Sequence, residues 1–265
     1  MTDLKNFGRV IEVLHGSRKF SSEQYNIEAT VPFDDDLLPN ESEIRMWNLA
    51  DSTIKSFARN SVVALNAGYR GDVGTIMTGY LADMTTVWEG ADKVTTLFVL
   101  DCEDLDKREI KQIAFAPGTL ASTIIKQLAS YIGLPIAQFE LLQDVRYVGG
   151  YTASGKVTEE IAKVAADCKT SIWINKTRLY IRNLRRGGDA VIKLNKNTGL
   201  IGSPEFFSAD HAKGYKVVSQ LQHRMTTASV IDLECAAYTG RLHVRSGQHK
   251  LSRTGDFQTE VEAVI

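Results

Sequence analysis

A chain of 265 residues, 43% hydrophobic and 24% charged, can bury a substantial core as one large or two modest domains without disulfide or metal staples. A formal net charge of -1 removes the broadly basic surface that gripping a nucleic-acid backbone requires. Cys102, Cys168 and Cys235 are far apart with no CxxC spacing, the opening "MTDLKNFGRV" has no apolar signal region, and no apolar run reaches the ~18 residues of a membrane helix, so the expected compartment is a reducing cytoplasm.

Period-2 alternation dominates. After a strand expected at 8–14, "YNIEATV" puts Tyr25, Ile27, Ala29 and Val31 on one face, with Asn26, Glu28 and Thr30 on the other. Further strands are predicted at 43–48, 61–69, 74–88, 93–100 and 110–116, with a short helix in "DSTIKSFAR". A helix over 120–132 carries a stripe of Leu120, Ile124, Ile125, Leu128 and Ile132; Thr119 is its expected N-cap, and Gly133 with Pro135 ends it. A second helix over 159–168 buries Ile161, Val164, Ala165 and Cys168, with Thr158 as expected N-cap. "SIWI-NK-TRLYI" reads as an antiparallel hairpin turning at Asn175-Lys176.

Strands follow again at 215–221 and 241–245. "VIDLEC" puts Ile231, Leu233 and Cys235 inside. "FQTEVEAVI" puts Phe257, Thr259, Val261, Ala263 and Ile265 on one face. The order is strands, a central α+β stretch, then strands. The expected domains are 1–116, an inserted segment 117–190 left through the loops "RRGGD" and "KNTGLIGSPE", and 191–265.

"GYTASGKVTEEIAKVAA" (150–166) comes within one letter of a phosphate loop, G-x-x-x-x-G-K-[ST] opening a helix. Val157 stands where a hydroxyl should hold the metal ion, and Glu159 and Glu160 already complement the positive helix end that a phosphate would need. The hairpin that follows is not the parallel strand of a nucleotide-binding fold. The stretch therefore reads as a Gly-rich turn feeding a capped helix.

Other chemistry is sparse. His243 points outward from a strand and His249 falls in a turn-like segment, with no cysteine near to complete a zinc site. "FDDD" (33–36) lacks the spacing of a calcium loop and is expected on the solvent side. No G-x-S-x-G occurs, and Cys168 and Cys235 sit on apolar faces as core cysteines do. No catalytic, cofactor-binding or metal-binding residue is nominated, and the chain is not expected to be an enzyme.

The stretch 42–101, "SEIRMWNLADSTIKSFARNSVVALNAGYRGDVGTIMTGYLADMTTVWEGADKVTTLFVLD", resembles the first tube domain of phage tail hub proteins. The matching residues are Asn48, Leu49, Ala67, Gly68, Tyr69, Gly71, Gly74, Ile76, Gly79, Gly90, Asp92 and Asp101. "TGLIGSPE", "GYKVVSQLQHRMTTASVIDLEC" and "LHVRSGQHKLSRTGDFQTEVEAV" resemble the family's later part, with Phe257 where Trp is more usual. These motifs are turns and strands and carry no chemistry.

The resemblance implies a β-rich α+β fold: two tail-tube-like antiparallel β-barrel domains with a central helix-containing segment outside them. It implies a homotrimeric baseplate hub, adapting a sixfold tail tube to a threefold tip and lining a DNA channel. Implied partners are the tail tube or distal tail protein above and a spike or tip protein below, with tape-measure and baseplate wedge proteins also in reach. DNA would pass transiently, no membrane would be entered, and a fused cell-wall hydrolase would be absent. The implied location is the virion tail baseplate, assembled in the host cytoplasm. Two other readings stay open: a peptidoglycan- or carbohydrate-binding module built on the central segment, and a nucleotide-binding enzyme using Gly150–Lys156.

Overall fold

The computed structural model describes residues 7–103, 105–186, 191–209 and 212–265. The chain forms two compact units: Met1–Asp34, Asn40–Asp101 and Gly188–Ile265 make one, Asp35–Pro39 and Cys102–Gly187 the other. The sequence reading began the central segment at 117; the second unit begins before it.

The first unit opens with β1 (Arg9–His15), β2 (Arg18–Ser21), β3 (Ile27–Phe33), β4 (Glu41–Trp47), a one-turn helix α1 (Asp51–Ile54), β5 (Val62–Tyr69), β6 (Asp72–Glu89) and β7 (Asp92–Leu100). In the second unit follow β8 (Glu109–Phe115), β9 (Thr119–Leu120), α2 (Ala121–Ile132), β10 (Ile136–Glu140), β11 (Arg146–Tyr147), β12 (Tyr151–Lys156), α3 (Val157–Asp167), β13 (Ser171–Asn175) and β14 (Arg178–Arg182). The first unit is completed by β15 (Val191–Leu194), β16 (Leu200–Ala209), β17 (Ala212–Gln220), β18 (Val230–Glu234), β19 (Thr239–Ser252) and β20 (Phe257–Val264).

The first unit is one 13-stranded sheet, ordered β16-β17-β20-β19-β3-β4-β7-β6-β5-β1-β2, with β18 against β19 and β15 against β18. Its pairs are antiparallel except β15–β18. Antiparallel strands can solvate one face, and the alternation is visible: Ile27, Ala29, Val31 and Phe33 are buried while Asn26 and Thr30 are exposed.

The sheet serves two cores. One gathers β1 to β7 around Ile11, Ile44, Leu65 and Leu97; the other gathers β15 and β17 to β20 around Leu194, Ile231, Leu242 and Ala263. Three strands feed both: Val31, Leu251 and Phe257 join the first core, and Phe33, Val244 and Val261 of the same strands join the second. β19 changes core at an irregularity between Val244 and Ser246, where an extra residue bends the strand.

The second unit packs α2 and α3 with a small sheet, β10-β14-β13, and with the β8–β12 ladder around Ile124, Leu128, Ile161, Val164, Ile172 and Ile181. β10 lies parallel to β14, and β13 antiparallel to it.

Several local expectations need correction. Neither threonine caps its helix: Leu120 and Lys156 occupy the cap positions without a side-chain cap bond. Thr119 is instead paired in β9, and Thr158 is buried inside the first turn of α3. For α2 the capping acceptor comes from across the unit. Asp144 accepts the Ser122 N–H at 2.9 Å and its hydroxyl at 2.6 Å, satisfying an amide that the helix leaves unpaired.

The hairpin turns at Lys176-Thr177, one residue later than expected, with φ of 50° and 62°. Gly133 does end α2 in the left-handed region at φ 78°. Ile265 is exposed, beyond the last paired residue of β20. "KNTGLIGSPE" is part loop and part β16, whose pairing with β17 is interrupted between Ile201 and Glu205. "RRGGD" runs into residues outside the described ones.

Candidate functional site

The described surface carries strand edges and exposed apolar side chains. β6 has 18 residues, and its ladder with β5 ends at Val62↔Tyr80. From Asp83 to Glu89 its registered partner is β7 alone. The far edge of this segment therefore carries backbone donors and acceptors with no strand beside them among the described residues, which is a template for a neighbouring chain. Val87 and Trp88, 71% exposed, stand near the hairpin tip. The tip is tied to the segment around α1. Asn48 donates to Asp92 at 2.8 Å and accepts the Lys93 N–H at 2.9 Å, and Lys93 pairs with Asp51 at 2.6 Å.

The terminal strand β16 offers a second edge, with exposed Ile201 and Phe206, the latter edge-on to Tyr215 at 5.5 Å. Large apolar side chains left outside on strand edges mark contact surfaces more than they mark catalysis.

The glycine-rich stretch of the second unit is a strand and not a phosphate loop. Tyr151, Thr152 and Ala153 pair with Phe115, Ala114 and Ile113, and Gly155 and Lys156 with Ile110 and Glu109. A phosphate loop wraps its amides around the anion, whereas here the backbone runs as an extended strand. Gly155, at φ 91°, follows the irregularity in that ladder. Gly150 has φ 82°, and a side chain there would meet the Phe115 carbonyl at 2.8 Å. Val157 is fully buried and donates its N–H to the Arg108 carbonyl at 3.0 Å. Lys156 lies 3.9 Å from Glu159.

Nor does the unit's tryptophan offer a face to a sugar. Trp173 is 1% exposed and stacks on Tyr180 at 5.5 Å. The Tyr147 and Tyr151 hydroxyls donate to Asp167 and Glu160 at 2.6 Å each; burial first, then these carboxylates, holds both phenols well above their usual range.

No protein-family model matches the chain, and no curated protein matches it. Solved structures do. The tail protein from Neisseria meningitidis MC58 superposes with a TM-score of 0.71 at 9% identity, over 98% of this chain and 97% of that one. The prophage MuSo2 43 kDa tail protein from Shewanella oneidensis gives 0.68 at 8% identity, over 97% and 98%. The E. coli c3393 protein, a type VI secretion component described as structurally similar to the T4 bacteriophage tail proteins gp27 and gp5, gives 0.62 at 7%, over 96% and 76%.

The chain has the fold of phage tail proteins. At such identities sequence is no guide to role, so the tail fold has to be interpreted through its own residues. Phe257 fills the site expected for a larger ring: it packs edge-on to Tyr69 at 5.3 Å, and the Arg9 guanidinium lies over it at 5.3 Å. Gly79 and Gly214 sit where a side chain would strike the Leu100 and Ala263 carbonyls of the adjacent strands.

Two polar sites escaped the sequence reading. His249 is not in a turn but inside β19, 2% exposed, between Phe33 and Thr259. The Gln222 N–H donates to the Thr259 hydroxyl at 3.0 Å, so that hydroxyl can donate to His249 Nδ1 at 2.9 Å, and Nε2–H to the Met225 carbonyl at 3.1 Å. The ring thus ties the 221–229 loop to the sheet. The period-2 pattern puts His249 in phase with Leu251, and that was the available signal.

Asp34 is likewise not a free loop acid. It and Asp101 meet at Asn40, and Asp101 is 8% exposed. Burial, aided by the Asp34 charge and opposed by the Asn40 hydrogen bonds, pushes the Asp101 carboxyl up to about 7. Cys102 and Cys168 are buried and Cys235 is half-buried; burial pushes the Cys168 thiol up, which makes it a poor nucleophile. Among the described residues, no three His, Cys, Asp or Glu side chains gather as a metal site would require.

Proposed function

We propose that this chain is a structural hub of a phage or phage-like tail, a ring of three copies at the baseplate that adapts a sixfold tube to a threefold tip. One observation carries the reading: a single sheet serves two cores in succession, so each chain supplies two wall modules, and three chains supply six. Each half of the sheet, with its own core, stands for one tube-like barrel module in this proposal. The tail-protein fold over nearly the whole chain supports it. The exposed edges of β6 and β16 suit a ring, because a neighbour at each edge turns an aggregation hazard into an interface.

In this role the protein catalyses nothing. Its partners are its own copies, the tube or distal tail protein on one side and a spike or tip protein on the other. The likeness in fold to c3393, a type VI secretion component, supports including secretion-type particles in this reading. A net charge of -1 would let DNA pass without being gripped. Electron microscopy of assembled tails tests the proposal. Three copies around the axis are expected; six or more copies per tail, or an off-axis position, would refute it.

A further inference from the structure

From β20 to β2 every neighbouring pair in the sheet is a hydrogen-bonded ladder, in the order β20-β19-β3-β4-β7-β6-β5-β1-β2. The two ends of that run share one core. Ile11 of β1 and Phe20 of β2 are buried in it with Leu251 of β19, Phe257 of β20, and Leu221 just after β17. No strand pairing joins these ends among the described residues. Side chains join them instead. Arg9, at the start of β1, donates to the carbonyls of Ser252, Arg253 and Gly255 at 3.1, 3.3 and 2.6 Å, where β19 turns into β20. Arg253 donates in return to the Ser22 carbonyl, just past β2, at 2.8 Å. Arg224, in the loop after β17, holds the Asp72 carboxylate of β6 through both terminal guanidinium nitrogens, one at 2.9 Å. Next to it, the His223 ring fills the space that Gly74 leaves. Beneath these bonds Tyr69 of β5 meets Phe257 edge-on at 5.3 Å.

We propose that this line is a seam along which the first core opens while the ladders on either side stay paired, with Arg9, Arg224 and Arg253 as its bolts. Parting two neighbouring strands anywhere else in the run breaks a row of backbone hydrogen bonds. Parting the seam breaks side-chain bonds only, and all three arginines are exposed, so water replaces their bonds at small net loss. The opposing cost is the apolar surface of Tyr69, Leu221 and Phe257 that opening uncovers, and it keeps the closed state dominant. Such an opening is sub-global and lies below the free energy of unfolding the whole unit. The second core has no member on β1, β2, β5 or β6, so it stays closed when the seam parts. The sheet thereby gains one conformational joint, in the first core alone.

Thiol labelling of the full chain tests this, with the labelled positions read by peptide mass. Val13→Cys places a reporter in the first core and Val217→Cys one in the second; both valines are buried. Adding Arg9→Met or Arg224→Met should speed labelling at position 13 about tenfold and leave position 217 unchanged. Arg45→Met, which removes an arginine bonded to Glu89 away from the seam, should leave both rates as they were. No acceleration at position 13, or equal acceleration at both positions, overturns the seam. Should the arginine variants not fold, the two valine variants decide by themselves in urea below the unfolding midpoint. Labelling at position 13 about tenfold ahead of position 217 supports the seam, and equal rates overturn it.

Discussion

Val261 and Glu260 are adjacent in β20 and face opposite ways, so a pair of substitutions isolates what the sheet's inner face is worth. Val261 is 4% exposed, pairs with Val217 on one side and Gly247 on the other, and packs in the second core. Val261→Ala deletes two methyl groups at about 0.8 kcal/mol each and leaves a partial cavity, for a loss of about 2 kcal/mol. Val261→Asp loses the same burial and adds a carboxylate away from water, a further several kcal/mol. β20 is hydrogen-bonded on both edges, so the side chain cannot turn outward without a register slip that would expose Phe257, Thr259 and Ala263 as well. Against a total stability of about 5–15 kcal/mol, Val261→Asp should leave little folded protein.

Glu260→Ser is not free. Lys250, Gln248 and Gln258 all donate to Glu260 within 2.8 Å, and a loss of about 1 kcal/mol is expected for this half-exposed network. Burial works to raise the Glu260 carboxyl, but those three bonds outweigh it and hold it below its usual range. Its contribution is therefore present above the unfolded carboxylate value and lost as pH falls through the folded one. Urea unfolding of Val261→Ala and Glu260→Ser at pH 7 and pH 4, with soluble yield for Val261→Asp, measures all of this. Equal behaviour of Val261→Asp and Glu260→Ser would refute the assignment of faces.

Asp144→Ala should cost about 1 kcal/mol in urea unfolding, because the Ser122 amide at the start of α2 loses its acceptor; an unchanged midpoint would show that water replaces it without loss. Lys156→Ala should change stability by no more than about 0.5 kcal/mol, and the wild type should show no saturable ATP binding in calorimetry, since its glycine-rich stretch is an extended strand beside β8 and not a phosphate loop; micromolar binding lost in Lys156→Ala would contradict the reading.

Much of the fold was written locally. Alternation in "YNIEATV" and "FQTEVEAVI" is a property of consecutive residues, because a strand must turn successive side chains to opposite faces, and it specified the buried sides of β3 and β20 up to the exposed Ile265. The stripes of α2 and α3 are equally local, as is Val157, whose missing hydroxyl already argued against a phosphate loop.

What depends on distant residues had no local sign. Asp144 caps a helix that begins 23 positions earlier, since its unpaired amides take whichever acceptor the tertiary fold brings. His249 became a buried tie because the Met225 carbonyl and the Thr259 hydroxyl arrive from other segments to satisfy both ring nitrogens. Asp34 and Asp101 became one site only when β3 and β7 were placed on either side of β4 with Asn40 between the two acids. Pattern records which way a side chain faces; only packing decides what it faces, and burial, hydrogen bonding and charge all depend on that.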